Sequence, residues 1–323
     1  MQVANAGRPV FVPIVYRLAA RIEQTLLSDL VSDPTSYANA MEGAYKLLKQ
    51  DAIVTSFDPS LEAEVFGGQV DWQEDYGLPV VADWATCDLA TVNVDTSGRI
   101  KVMLEATKRL VQTRGKETAI IGAITGPCSL ARSISEHAAL DRDYPIEEII
   151  SLTGNQLIRL TRSICEVKVD ALIIREDILT ERYYPELLAH ENAYRAVYAT
   201  LFNLVRFYNV AGLLMVRGQK PEDLAALSKK LRPNGFIIGG LELNEADLTY
   251  LRDLSAAQKL AIGLPLPLED RDEAMSRLKT IEEFITRFKP GGFFYTSDGE
   301  VPPEISLEAV REVSNRIKGV QET

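Results

Sequence analysis

Several apolar runs in this chain stop on a charged or hydroxyl-bearing side chain, and those stops are the candidate chemistry. One run closes on Tyr16-Arg17, with Arg21 four residues beyond Arg17. Another closes on Asp58-Pro59. A third leads into Thr125-Gly126-Pro127-Cys128-Ser129, and a fourth ends in Arg175-Glu176-Asp177. Later runs reach Arg217-Gly218-Gln219 and Ser297-Asp298-Gly299-Glu300. Guanidinium groups pair bidentately with carboxylates and phosphates. Carboxyl groups in a pocket move protons or stabilise a developing cation. On this pattern Asp58, Glu176, Asp177 and Arg217 are the candidate catalytic groups. Tyr16, Arg17, Arg21, Ser129, Arg175, Gln219, Asp298 and Glu300 are the candidate substrate contacts. Each has a plainer alternative. Asp58 before a proline is a turn residue, Arg17 and Arg21 at i,i+4 form a solvated helix face, and Glu176-Asp177 caps the next segment.

Residues that converge on one site need elements that end together. The β-rich runs lie at 10–16, 52–57, 118–125, 171–176, 212–217, 235–240, 259–265 and 292–297, eight in all. They are almost continuously apolar rather than alternating, as strands of a parallel sheet buried on both faces are. Helical patterns fill the gaps. The stretch from Asp33-Pro34 opens with a cap and a proline at the first helical position. The stretch from Pro145 carries Glu147 and Glu148 in its first turn. Eight strand-helix units predict a single α/β domain over 1–323, a (β/α)8 TIM barrel. A doubly wound open sheet is the alternative. An excursion at about 65–116, rich in glycine and holding Trp72 and Trp84, is expected between the second and third strands. It either covers a site or packs on the barrel rim.

Composition narrows the function. Of 323 residues, 46% are hydrophobic and 25% charged, which suits a large folded core. The net charge of -11 comes with no Lys/Arg-rich run, so no nucleic-acid partner is expected. No apolar run is long enough to span a bilayer, and no membrane association is expected. The N-terminal stretch lacks the basic start and cleavage site of a secretory leader and reads as the first strand. Three widely spaced cysteines, Cys87, Cys128 and Cys165, argue against a disulfide framework and fit a reducing, cytoplasmic setting.

No dinucleotide or P-loop glycine pattern, metalloprotease motif or nucleophile elbow stands in a suitable context. His137 and His190 lie in helical stretches, and neither is spaced from a cysteine as zinc ligands are. No metal is therefore expected. A hard-cation site on Asp58, Glu176, Asp177 and Asp298 is left open.

Taken in order, several segments resemble the uroporphyrinogen decarboxylase superfamily, which holds porphyrinogen decarboxylases and corrinoid-dependent methyltransferases. RPVFVPIVYRLAARI resembles its opening strand and helix. LVSDPTSYANAMEGAYKLLKQDAIVTSFDPSLEAEVFGGQVDW resembles its second unit. GAITGPCSLA, VDALIIREDIL and GGFFYTSDGEVPPEISLEAVREV resemble later turns and the closing strand and helix. The resemblance implies the same barrel. It implies substrate-carboxylate arginines at Arg17 and Arg21, with Ala20 where the decarboxylases have glycine. It also implies a role for Asp58 on pyrrole N–H groups. The tyrosine of the decarboxylases falls at about Ser133, and their histidine near the last strand is absent. The zinc ligands of the thiol-using methyltransferases fall at approximately Met215, Arg217 and Gly299.

The N-terminal third is closer to the methyltransferase branch. The expectation is therefore a methyltransferase component of a corrinoid-dependent methyl-transfer or demethylase system. It would act on a small-molecule substrate and hold no tightly bound cofactor. The corrinoid (cobalamin) would be supplied by a separate partner protein, and the resemblance also admits a homodimer. A cofactor-free decarboxylase of a porphyrinogen or related pyrrolic or aromatic acid is one alternative, and a non-catalytic ligand-binding barrel another.

Overall fold

A computed structural model describes residues 8–72, 75–94, 98–176, 179, 189–288 and 292–319. Eight parallel strands make one sheet: β1 (Phe11–Ile14), β2 (Ala52–Val54), β5 (Ala119–Thr125), β6 (Ala171–Glu176), β7 (Ala211–Arg217), β8 (Gly235–Gly239), β9 (Ala261–Leu266) and β10 (Phe293–Glu300). Their spatial order is β1-β10-β9-β8-β7-β6-β5-β2. The two end strands lie side by side. The Asp51 amide donates to the Phe11 carbonyl at 2.9 Å, and the Phe11 amide donates to Asp51 Oδ2 at 2.8 Å. The sheet is thus a nearly closed barrel, the (β/α)8 class, and not a doubly wound open sheet.

Every predicted strand forms close to its expected place, because continuous Ile, Leu and Val runs are stable only when both faces are covered. β6 and β7 pair in register from Ala171 opposite Ala211 to Glu176 opposite Val216. One irregularity lies between β1 and β10, at Pro13. Proline has no N–H for the ladder. The next amide, that of Ile14, donates to Ser297 Oγ at 2.9 Å instead.

The helices ring the barrel. α1 (Tyr16–Ile22) and α2 (Leu27–Leu30) lead to α3 (Pro34–Leu48), whose cap Asp33 accepts from the Thr35 amide at 3.0 Å. α4 (Leu61–Val65) follows β2. The segment from 65 to 116 then divides. Its first part is the antiparallel hairpin of β3 (Gly68–Asp71) and β4 (Val80–Trp84), outside the barrel sheet. Its last part is α5 (Gly98–Arg114), which packs on α3 and β5 as a barrel helix does. Ile100, Met103, Ala106 and Leu110 make its buried stripe, a 3–4 spacing that suits one helix face. The ring continues with α6 (Pro127–His137), α7 (Ile146–Glu166), α8 (Glu191–Phe207), α9 (Pro221–Leu231), α10 (Glu245–Gln258), α11 (Arg271–Phe288) and α12 (Leu307–Lys318). No helix among the described residues is long and apolar enough to cross a membrane.

Candidate active site

In a (β/α)8 barrel the C-terminal strand ends carry function. Here they gather buried polar side chains at Thr55, Ser56, Asp58, Thr125, Arg175, Glu176, Gln219 and Ser297. Arg175 and Glu176 are neighbours on β6, so they face opposite sides of the sheet. Arg175 faces the barrel interior. Its guanidinium lies 5.0 Å from the Phe57 ring centroid, and its Nη2 is 3.4 Å from Thr125 Oγ1. Its charge also acts on Glu62 and on Glu300. Glu62 is a buried carboxyl on α4 that accepts from Thr125 Oγ1 at 2.7 Å and from the Thr125 amide at 3.2 Å. Burial raises its pKa, while Thr125 and Arg175 pull the other way.

Glu176 faces the helices outside the barrel. Its carboxyl accepts from the amides of Cys128 at 3.0 Å and Ser129 at 2.9 Å, from Ser129 Oγ at 2.8 Å, and from the Tyr198 hydroxyl. It therefore caps the N-terminus of α6, which has no side-chain cap of its own, and ties it to Tyr198 on α8. An anion at a helix N-terminus is favoured by the free N–H groups and the helix dipole. Burial works against that charge and pushes the Glu176 pKa up to about 7. Gly126 makes the contact possible, since a Cβ there would lie 2.1 Å from Glu176 Oε1. Ser129 is thus engaged with Glu176. Asp177 lies outside the described residues, as do Tyr183 and Tyr184.

Asp58 sits at the end of the β2 run with its carboxylate fully engaged. Oδ1 accepts from the Ser60 amide and from Ser60 Oγ, both at 2.8 Å, and Oδ2 is ion-paired with Arg99. Arg99 also donates to Glu64 Oε2 at 2.7 Å and to Ser60 Oγ at 3.0 Å, and it lies 5.4 Å from the Trp72 ring centroid. The hairpin is thereby fastened to the end of β2. Tyr16 is buried against Tyr37, ring centroids 6.0 Å apart.

The first-helix arginines have partners on the closing strand and the loop after it. Arg17 donates through its amide and Nε to Glu300, whose pKa burial pushes up to about 7 against the pull of Arg17 and Arg175. Arg21 Nη1 donates to the carbonyls of Pro303 and Ile305. Arg217 Nη1 lies 3.0 Å from Asp298 Oδ1, which also accepts from the Gly240 amide at 2.8 Å. Gln219 is buried, and its Nε2 has no hydrogen-bond partner among the described residues.

The mouth therefore unites Arg17, Arg175, Arg217, Asp298 and Glu300 with a residue not singled out in sequence, Glu62. Arg99 and Tyr198 were also not singled out. Arg99 had one usable signal, its place at the head of an amphipathic stretch within the expected excursion. Among the described residues no group of three or more His, Cys, Asp or Glu side chains is placed to hold a metal. A separate cavity of about 650 Å3, lined by Leu140, Arg142, Tyr144 and Ile149 among others, lies at the α6–α7 connection rather than at the strand ends.

Fold and strand-end charges define a (β/α)8 barrel with a polar mouth. Residues 8–143 match the uroporphyrinogen decarboxylase (URO-D) family. Two relatives are methylcobamide:CoM methyltransferases. The one from Methanosarcina acetivorans is 31% identical over 124 residues, and the one from Methanosarcina mazei is 30% identical over 125. Each match covers 37% of this chain and 37% of the relative. The fold is that of a solved methyltransferase from Methanosarcina mazei, with a TM-score of 0.73 at 15% identity over 98% of this chain and 96% of that one. A B12-independent methionine synthase from a Shewanella species gives 0.59 at 13% identity, over 88% of this chain and 86% of that one. The sequence match to that family lies within residues 8–143, and the structural likeness shows the shared fold.

Proposed function

We propose that this chain is the methyltransferase barrel of a corrinoid-dependent methyl-transfer or demethylation system, working with a corrinoid carried on a separate protein. The observation that carries this is the 124-residue likeness to a methylcobamide:CoM methyltransferase. When bound, the corrinoid cobalt supplies the nucleophile or the methyl carrier. The barrel's own residues hold and orient the small-molecule partner at the mouth. Arg17 and Glu300 form one side of that mouth, and Arg217 and Asp298 another. Glu300, with a pKa of about 7, exchanges a proton near neutrality and is the group to assist a leaving group.

Zinc activation of a thiol has no part in this proposal. The positions in question present a thioether at Met215, a guanidinium at Arg217 and bare backbone at Gly299. A Cβ at 299 would already lie 2.7 Å from Arg217 Nη1, so a cation fills the space a further donor would need. Cofactor-free decarboxylation of a pyrrolic acid is also less well supported, because the carboxylate expected to hold pyrrole N–H groups is buried and engaged by Ser60 and Arg99.

The test is a single-turnover assay of the purified protein with cob(I)alamin and a panel of methylated amines, ethers and thioethers. Formation of the methylcobalamin spectrum, slowed by Glu300→Gln, is expected. No spectral change with any donor, together with porphyrin binding abolished by Asp58→Ala, would overturn the proposal.

A further inference from the structure

The two glutamates of α4 point apart. Glu62 and Glu64 are two residues apart, which is about 200° around a helix. Glu64 accepts from Arg99 Nε at 2.7 Å, and its side chain is 36% exposed. Glu62 is 2% exposed and is carried in to the end of β5. There Thr125 grips both of its oxygens. The Thr125 amide donates to Oε1 at 3.2 Å, and the hydroxyl donates to Oε2 at 2.7 Å. The same hydroxyl accepts from Arg175 Nη2 at 3.4 Å. Carboxyl, hydroxyl and guanidinium thus form one line of contacts from α4 through β5 to β6.

The Arg175 charge has a second carboxyl to serve. β6 and β10 are four places apart in the order of eight strands, so they face each other across the nearly closed barrel. Glu300 ends β10, and Arg17 from α1 holds it through its amide and Nε. Asp298, two residues earlier, is turned to Arg217 and the Gly240 amide. Arg17 and Arg175 are therefore the cations that act most strongly on Glu300. Packing gives no reason for a carboxyl at 62, since an apolar side chain would fill the place without the desolvation cost. The bonds from Thr125 offset only part of that cost, and burial keeps the Glu62 pKa above the ordinary carboxylate range.

We infer that Glu62 is a positioning residue for Glu300: it takes up part of the Arg175 charge, so that less of that charge reaches Glu300 and the proton there is held more firmly. Its effect is electrostatic and passes through the guanidinium between them. The inference rests on the methyl-transfer proposal only for the use made of that proton.

The experiment is a carboxyl-carbon NMR titration of the full chain, with the Glu62 and Glu300 signals assigned by through-bond correlation. In wild type Glu300 titrates at about 7. In Glu62→Gln it titrates lower by about half to one pH unit, since an undivided guanidinium favours the carboxylate. Glu62→Asp keeps the charge and recovers most of that difference. A packing role predicts the reverse order, because glutamine fills the place of glutamate and aspartate leaves it part empty. Coupling between two sites is mutual, so Glu300→Gln lowers the Glu62 midpoint by a like amount. That last reading needs no variant at 62 to fold, and thermal melts establish that each variant used is folded. An unmoved or raised Glu300 midpoint in Glu62→Gln, a larger shift in Glu62→Asp than in Glu62→Gln, or an unmoved Glu62 midpoint in Glu300→Gln overturns the inference. Neither corrinoid nor methyl donor is present in these titrations, so failure here and failure of methyl transfer to cob(I)alamin are scored separately.

Discussion

Asp58, which is buried, and Arg99, which is partly buried, form an ion pair although 41 positions separate them in sequence. The pair joins the end of β2 to the first turn of α5. Through Glu64 and Trp72, Arg99 also gathers α4 and the hairpin around the same charge. Removing one partner of a buried pair strands the other, and the cost is larger than the pair's net contribution. Arg99→Ala is therefore expected to lose about 3 kcal/mol of stability in urea unfolding. Combining it with Asp58→Asn recovers part of that loss. Strictly additive losses in the double variant would show that the two side chains do not act as a pair.

Glu176 and Gly126 form a second tight contact. A methyl group at 126 would sit 2.1 Å from one oxygen of a carboxyl that four donors hold, two on each oxygen, so neither side yields easily. Gly126→Ala should cost about 1–3 kcal/mol, the usual range for overpacking. Tyr198→Phe removes one donor to the same carboxyl. Donation from Tyr198 lowers the Glu176 pKa, so its loss moves that pKa further up, above 7. A carboxyl-carbon NMR titration would read the shift, and an unchanged or lower value would contradict the hydrogen bond.

Burial raises the pKa of both Glu176 and Glu300 to about 7 in the folded protein, against about 4.3 in the unfolded chain. Between those values the folded state binds more protons than the unfolded one, so stability falls as pH rises. The contribution is complete below about pH 4 and is lost as pH rises through about 7, with a slope of at most about 1.4 kcal/mol per pH unit for each group. Urea midpoints should decline from pH 5 to pH 8. In Glu300→Gln the decline should be shallower, and an equal decline would exclude Glu300 as a contributor.

Arg21 is the arginine whose structural work is plainest, since its Nη1 holds the carbonyls of Pro303 and Ile305. Arg21→Ala should cost about 2 kcal/mol, as expected for hydrogen bonds from a charged donor. Amide exchange at 304–307 should quicken. Unchanged exchange would show that Arg21 does not hold this loop.

The sequence by itself determined the barrel, its strand ends and its polar stops. Ile, Leu and Val runs of strand length are stable only when covered on both faces, and Asp33-Pro34 starts a helix by local hydrogen bonding alone. What only the tertiary structure decided is where each charge points and what it meets. Alternation along β6 separates Arg175 from Glu176, but a strand buried on both sides gives no sign of which face is the interior. Closure of the sheet set Arg175 among Glu62, Thr125 and Glu300, and turned Glu176 to α6 and Tyr198. It likewise brought Arg217 to Asp298 across two strands, and Arg99 to Asp58 from a segment that reads as an excursion. Such pairs depend on barrel curvature and register, which no local spacing of residues encodes.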